Sequence, residues 1–307
     1  MRVFAQCAAV GCLAAIVTIS GTVLAQTKDP ATVLAAARQA LGGEKKLSAV
    51  KSFTAAGRTR QVRGDNLVPI EFEIFVELPD KYLRKDEIPA QESGPTATGF
   101  NGEEWLQDPP PPPAPVAPAA PAGQPGAPGR GPGPGSAGPA RNPAAARVAT
   151  LKQDVARLTL GMFAASFPAY PLTFTYVGEA EAPQGKADVL EAKGPNTFTI
   201  RLFINKETHL PIMVSWTGAP AGRGRPAAPP AGDRGAAPAG ERGARPAPPA
   251  PVENRLYFAD YRDVDGMQFP FRLRRAVGTD TIEETTFDRF KVNAKIDPKK
   301  FEVRKPQ

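Results

Sequence analysis

The sequence predicts a mainly β (α+β) protein built on one strongly curled antiparallel sheet of about 10–11 strands, with helices packed on one face. Three observations predict it. Apolar residues recur at every second position over long stretches. Helical spacing appears in only two places. The strand signals follow one another without the helical crossovers that a parallel sheet requires.

The first helix starts at Asp29-Pro30, an N-cap acid followed by a proline at the first helical position. Val33, Leu34, Ala37 and Leu41 form its apolar stripe, and Gly42-Gly43 ends it. Glu44 to Val50 gives a second short turn presenting Leu47 and Val50. From residue 53 the period becomes two. Val68, Ile70, Phe72, Ile74, Val76 and Leu78 alternate with Pro69, Glu71, Glu73, Phe75 and Glu77, so one strand face is buried and the other mostly wet. Pro79-Asp80 turns the chain into a return strand, Tyr82 to Ile88. Phe100-Asn101-Gly102-Glu103-Glu104-Trp105 reads as a tight hairpin.

A clear amphipathic helix follows. Val148, Leu151, Val155, Leu158 and Met162 step by helical intervals, with Lys152, Asp154 and Arg157 off that stripe. Four strands come next: Leu172 to Val177, Ala187 to Ala192, Thr197 to Ile204 and Leu210 to Trp216. In the third, Phe198, Ile200, Leu202 and Ile204 share a face. Arg255 to Tyr261 is a strand, Asp263 to Gly266 a turn, and Met267, Phe269, Phe271 and Leu273 alternate with Gln268, Pro270, Arg272 and Arg274. Pro270 suggests an edge or a bulge there. Thr281 to Val292 and a terminal Phe301 to Val303 complete the set.

Composition divides the chain. Residues 1–25 read as a secretory signal peptide: Arg2, an uncharged apolar run from Cys7 to Ile19, then Val23-Leu24-Ala25 before Gln26. Cleavage near Ala25 makes the product periplasmic. Residues 26–307 form one domain interrupted twice. Segments 109–147 and 217–252 carry 23 of the 36 prolines and contain no Leu, Ile or aromatic residue, so both are expected to be disordered insertions. They also hold most of the +7 formal charge, and the remaining 207 residues are neutral. A neutral body argues against nucleic acid as a partner. Both cysteines, Cys7 and Cys12, fall in the signal peptide, so the mature chain has neither disulfide nor thiolate.

The inventory for catalysis is poor. His209, the one histidine, sits in a strand-end turn, and metal sites built on histidine need partners this chain lacks. Ser48 and Lys51 have the spacing of a Ser–Lys pair without its companion motifs and read as a helix end. Asp263, Asp265 and Gly266 imitate part of a calcium loop, but Tyr261 and Arg272 would occupy its first and last ligand positions. Glu71, Glu73 and Glu77 read as a solvated strand face. No catalytic residue, metal or cofactor is assigned, and the protein is expected not to be an enzyme.

Several runs resemble one family. They are Ala40-Leu41-Gly42-Gly43 with Leu47 and Val50, a first strand ending near Gly57, and the Leu78-Pro79-Asp80-Lys81-Tyr82 turn. Phe100-Asn101-Gly102 before Trp105, the run Phe258 to Pro270, Phe290-Lys291-Val292-Asn293 and Ile296-Asp297 before Phe301 complete the match. Together they resemble the LolA/LolB-like superfamily of outer-membrane lipoprotein-sorting proteins. The resemblance implies an open half-barrel covered by helices, with an apolar concave face that holds acyl chains in the periplasm. The two proline-rich insertions depart from the family, and without a cysteine at the mature N-terminus the chain is more similar to the soluble carrier than to the anchored acceptor.

On this basis the expected ligand face is Phe72, Ile74, Val76, Phe198, Ile200, Leu202, Met267, Phe269 and Phe271, with Trp105, Met162 and Phe163 as lid contacts. The expected partner is a lipid or lipoprotein acyl chain, bound by a monomer. A sixteen-carbon chain would gain about 13 kcal/mol gross on burial, reduced by association costs. The alternative is an envelope sensor or protein-interaction module of the same fold, its proline-rich loops meeting a membrane surface or an envelope protein.

Overall fold

A computed structural model describes residues 28–89, 91–92, 94–110, 143–182, 184–218 and 251–302. The expected signal peptide and most of both proline-rich segments lie outside the described residues.

The chain forms helices α1 (Pro30–Ala40) and α2 (Glu44–Ser48), then strands β1 (Ser52–Arg63), β2 (Asn66–Glu77), β3 (Lys81–Glu87), β4 (Thr96–Asn101) and β5 (Glu104–Asp108). Helix α3 (Pro143–Phe163) is followed by β6 (Thr173–Ala182), β7 (Gly185–Lys193), β8 (Thr199–Asn205), β9 (Pro211–Gly218), β10 (Val252–Val264), β11 (Met267–Val277) and β12 (Asp280–Val292). A short 3-10 turn, Pro298–Phe301, ends the described chain.

All twelve strands join one open antiparallel sheet, in the order β5-β4-β3-β2-β1-β12-β11-β10-β9-β8-β7-β6. It consists of two meanders closed on each other by β1 and β12. The sheet edges are β5 and β6, the strands that flank α3 in sequence. A helix of this length spans roughly 30 Å. It therefore reaches across the open side of the sheet, and its contacts fall on β4, β5, β9 and β11.

Local chemistry accounts for the ends of these elements. The Asp29 side chain accepts from the Ala31 N–H at 3.0 Å, capping α1. Gly42 then turns the chain at φ +129°, where a β-carbon would lie 2.7 Å from the Gly266 carbonyl oxygen. That close approach lets the Leu41 carbonyl accept from Gln268 N–H at 2.9 Å, docking α1 on the β10–β11 hairpin. The hairpin is the Asp-Gly turn expected: Asp265 and Gly266 both have positive φ, and Val264 pairs with Met267.

Three expectations are corrected. The sheet has twelve strands, because the hairpin through Gly102-Glu103 builds two full strands, β4 and β5. The terminal segment around Phe301 is a 3-10 turn; Asp297 caps it by accepting from Lys299 N–H at 3.0 Å, and Pro298 takes the first position. Val303 lies outside the described residues. Helix α3 begins at Pro143, inside the segment expected to lack order, since Pro143-Ala144-Ala145-Ala146 is itself a good helix start. Pro270 is in an inner strand, but β11 pairs with β12 only over Arg272–Val277. The proline falls where β11 is bonded to β10 alone and deprives no second neighbour of a donor.

The main core lies on the concave side. Phe53, Phe72, Phe163, Phe258, Phe269, Phe287 and Phe290 belong to one apolar cluster with the inner residues of α1, α2 and α3. Phe269 is fully buried and stacks on Phe290 at 4.9 Å, and Phe163 meets Phe53, Phe167 and Phe269 at 5.7–6.0 Å between centroids. On the convex side the 3-10 turn brings Ile296 and Phe301 against Leu83 and Leu106.

Candidate ligand-binding cleft

The last turns of α3 are sealed to the sheet. Leu160, Met162 and Phe163 are buried, and the Tyr261 hydroxyl lies 2.7 Å from the Pro211 carbonyl oxygen and 2.9 Å from that of Gly161. Burial pushes the Tyr261 phenol well above its ordinary pKa, so it stays a neutral hydroxyl that ties helix to sheet. Val148, near the other end of the helix, is buried as well, but between the two ends the packing is looser. Leu151, Val155 and Leu158, three members of the apolar stripe, are only half-buried. They overhang a cleft with about 210 Å³ of free volume, floored by Phe72, Ile74, Leu256, Leu273 and Phe287. Val155 also borders a smaller pocket reaching Val76, Phe100, Phe167 and Tyr170 on the other side of the helix.

One end of the cleft is polar. Thr59 and Thr285 pair across β1 and β12, and their hydroxyl oxygens are 2.8 Å apart. Arg84 stands over the Phe72 ring at 4.6 Å and donates to Asp86 at 2.7 Å. Burial works against the Arg84 charge, but Tyr82 and Asp86 nearby hold its pKa above the ordinary arginine value. Burial is also the main cause that pushes the neighbouring Tyr82 phenol up to about 12. From α3, Arg157 reaches in, donating to Asp154 at 2.8 Å and Gln153 at 3.3 Å. Its guanidinium is flanked by Trp216 at 4.3 Å and Phe198 at 5.2 Å. Burial holds Arg157 below its usual pKa; Asp154 opposes this and Arg275 adds to it. Arg275 approaches the same Trp216 ring at 5.8 Å.

The expected ligand face divides. Phe72 and Ile74 line the cleft, and Val76 lines the smaller pocket. All nine are packed in the main core, each at most 7% exposed, and Phe198, Ile200, Leu202, Met267, Phe269 and Phe271 line neither space. Of the expected lid contacts, Met162 and Phe163 are core residues at the anchored end of α3. Trp105 is half-buried on β5, donating to Gln107 at 3.1 Å with Arg147 over its ring.

Sequence reasoning missed Arg84, Arg157, Arg275 and Trp216. A signal was present: Arg275 continues the two-residue step of Met267, Phe269, Phe271 and Leu273 and so falls on the apolar face. Among the described residues no group of three or more His, Cys, Asp or Glu side chains could hold a metal ion. Nor is any described helix long and apolar enough to cross a membrane. The glutamates of β2 face outward, with Glu77 paired to Lys81 at 2.9 Å and Glu73 near Arg289.

No family model matches the chain, and no curated protein matches it. Solved structures similar to it include a LolA superfamily protein from Nitrosomonas europaea, at 11% identity and a TM-score of 0.48, covering 90% of this chain and 98% of that one. A putative outer membrane lipoprotein-sorting protein domain from Vibrio parahaemolyticus is similar at 9% identity and a TM-score of 0.46, covering 89% and 97%. A DUF1329 family protein from Desulfovibrio piger is similar at 9% identity and a TM-score of 0.43, covering 90% and 98%. These likenesses concern the fold alone. The chain itself has a single open antiparallel sheet with its few helices on the concave face.

Proposed function

We propose that this protein is an exported, periplasmic, non-catalytic carrier or receptor that holds a lipid or lipoprotein acyl chain between α3 and the concave face of the sheet. One observation carries this reading. Leu151, Val155 and Leu158 face an apolar floor across a space that the described side chains leave unfilled. Three half-buried aliphatic residues facing a cleft are costly in water and are relieved when an apolar guest enters. Helix α3 is held at its C-terminal end by Tyr261 and Phe163 and near its N-terminal end by the buried Val148, so the site lies between two fixed points. Each buried methylene contributes about 0.8 kcal/mol, so a twelve-carbon chain gains about 9 kcal/mol before association costs of several kcal/mol are subtracted. No proton transfer or nucleophile is needed for this task.

The test is calorimetric titration of delipidated protein with dodecanoate. Saturable one-to-one binding is expected, weakened about ten-fold or more in Leu158→Glu, which sets a charge against the chain. Absence of binding by dodecanoate and by longer acyl ligands would overturn the reading.

A further inference from the structure

The polar end of the cleft is built for a charge. Three guanidinium groups line it, those of Arg84, Arg157 and Arg275, against two carboxylates, Asp154 and Glu283. Arg84 is paired with Asp86 and Arg157 with Asp154. Arg275 faces Glu283 across the β11–β12 ladder, but among the described residues no carboxylate lies within ion-pair distance of it. Glu283 accepts instead from Gln61 at 3.3 Å.

Two buried donors also lack acceptors. The Nε atoms of Arg157 and Arg275 are both shielded from solvent and neither has a hydrogen-bond partner among the described residues. Arg157 is itself 91% buried. Orphaned buried donors on charged groups are expensive, and an anion bound beside the two guanidinium groups would satisfy both. The rest of the cleft is apolar, so the anion must belong to a molecule with a long apolar part.

We propose that Arg157 and Arg275, on either side of Trp216, bind the anionic head of an amphiphile whose acyl chain runs along the Phe72–Leu273 floor under α3. This rests on the reading of the cleft as an acyl-chain site and adds its ligand class: a single-chain amphiphile with a carboxylate or phosphate head. Arg84, neutralised by Asp86 and held by the Thr59 hydroxyl, stays out of the contact. Trp216 shields the anion from water and orders the two guanidinium planes.

The experiment compares dodecanoate, dodecan-1-ol and dodecyltrimethylammonium by calorimetry, on the protein as exported and on Arg275→Gln. A charge-assisted contact of this kind corresponds to a preference of about ten-fold or more for dodecanoate over the alcohol. The cation should bind more weakly still. Arg275→Gln, at a half-buried position, is expected to erase most of the preference while leaving affinity for the alcohol within about two-fold, because the apolar floor is untouched. Arg157→Gln should act in the same direction, and its thermal unfolding separates lost recognition from lost fold. Inorganic phosphate and acetate are the control for a free-anion site; competition by either at millimolar concentration, without an acyl chain, would overturn the amphiphile assignment. Equal affinity for dodecanoate and dodecan-1-ol would overturn the head site and leave the acyl-chain reading standing. A preference that survives in both arginine variants would overturn these residues' role. Failure of all three ligands to bind would overturn the acyl-chain reading, and the head site with it.

Discussion

Replacing Gly161 with alanine measures how closely α3 rests on the sheet. On an exposed helix the change would stabilise the protein by about 1 kcal/mol, because alanine loses less backbone entropy on folding. Here a β-carbon at Gly161 would lie 2.1 Å and 2.4 Å from atoms of the Phe258 ring. Phe258 is 1% exposed. Forcing extra volume into such a contact costs roughly 1–3 kcal/mol, and with every near approach below van der Waals contact the upper half of that range applies. The balance is a net loss of about 1–2 kcal/mol. Urea denaturation followed by circular dichroism reads it as a lower midpoint at unchanged slope. If Gly161→Ala stabilised the protein by about 1 kcal/mol, as at an exposed site, α3 would not be seated on Phe258 and the cleft geometry would fall with it.

Phe269→Ala should cost about 3–5 kcal/mol in the same assay, because the ring is fully buried among Phe53, Phe163 and Phe290; a loss under 1 kcal/mol would mean that this face is an open cavity. Stability should fall in alkali. The Tyr82 phenol titrates at about 12 when folded against 10 when free, so the folded state holds its proton more tightly. Its contribution is complete below pH 10 and disappears as pH rises through 12, a loss of about 3 kcal/mol. Tyr82→Phe should flatten the stability curve between pH 10 and 12, and an unchanged slope there would contradict the burial of this phenol.

Much of this architecture is legible in the sequence because its signals are local. The alternation of Ile70, Phe72, Ile74 and Val76 fixes which face of β2 is buried, and all four side chains are within the core. Asp29-Pro30 marks a helix start through one side-chain cap. Asp297-Pro298 is the same signal, and reading it would have replaced the expected terminal strand with a turn. The cleft is less legible because it depends on where distant segments stop touching. The pattern Val148, Leu151, Val155, Leu158, Met162 identifies the inner face of α3, yet Val148 and Met162 are sealed while the middle three are not. That difference comes from the curvature of the sheet, which no helical period encodes. The arginines are harder still. Arg157 lies off the apolar stripe and looks like a solvent residue, and the positions of Trp216 on β9 and of Phe198 turn it into a buried group. Arg275 alone was readable, as a charge on the apolar parity of its strand.

An acyl chain under α3 lies beside Trp216, and this proximity can be read directly. The chain has two tryptophans, so Trp105→Phe leaves Trp216 as the sole indole reporter. Titration of that variant with a dodecanoic acid brominated along its chain reads proximity directly, since bromine quenches only an indole in near contact. Saturable, one-to-one quenching of Trp216 that unbrominated dodecanoate reverses is the expected result. Binding without quenching, or quenching that rises linearly without saturation, would contradict it.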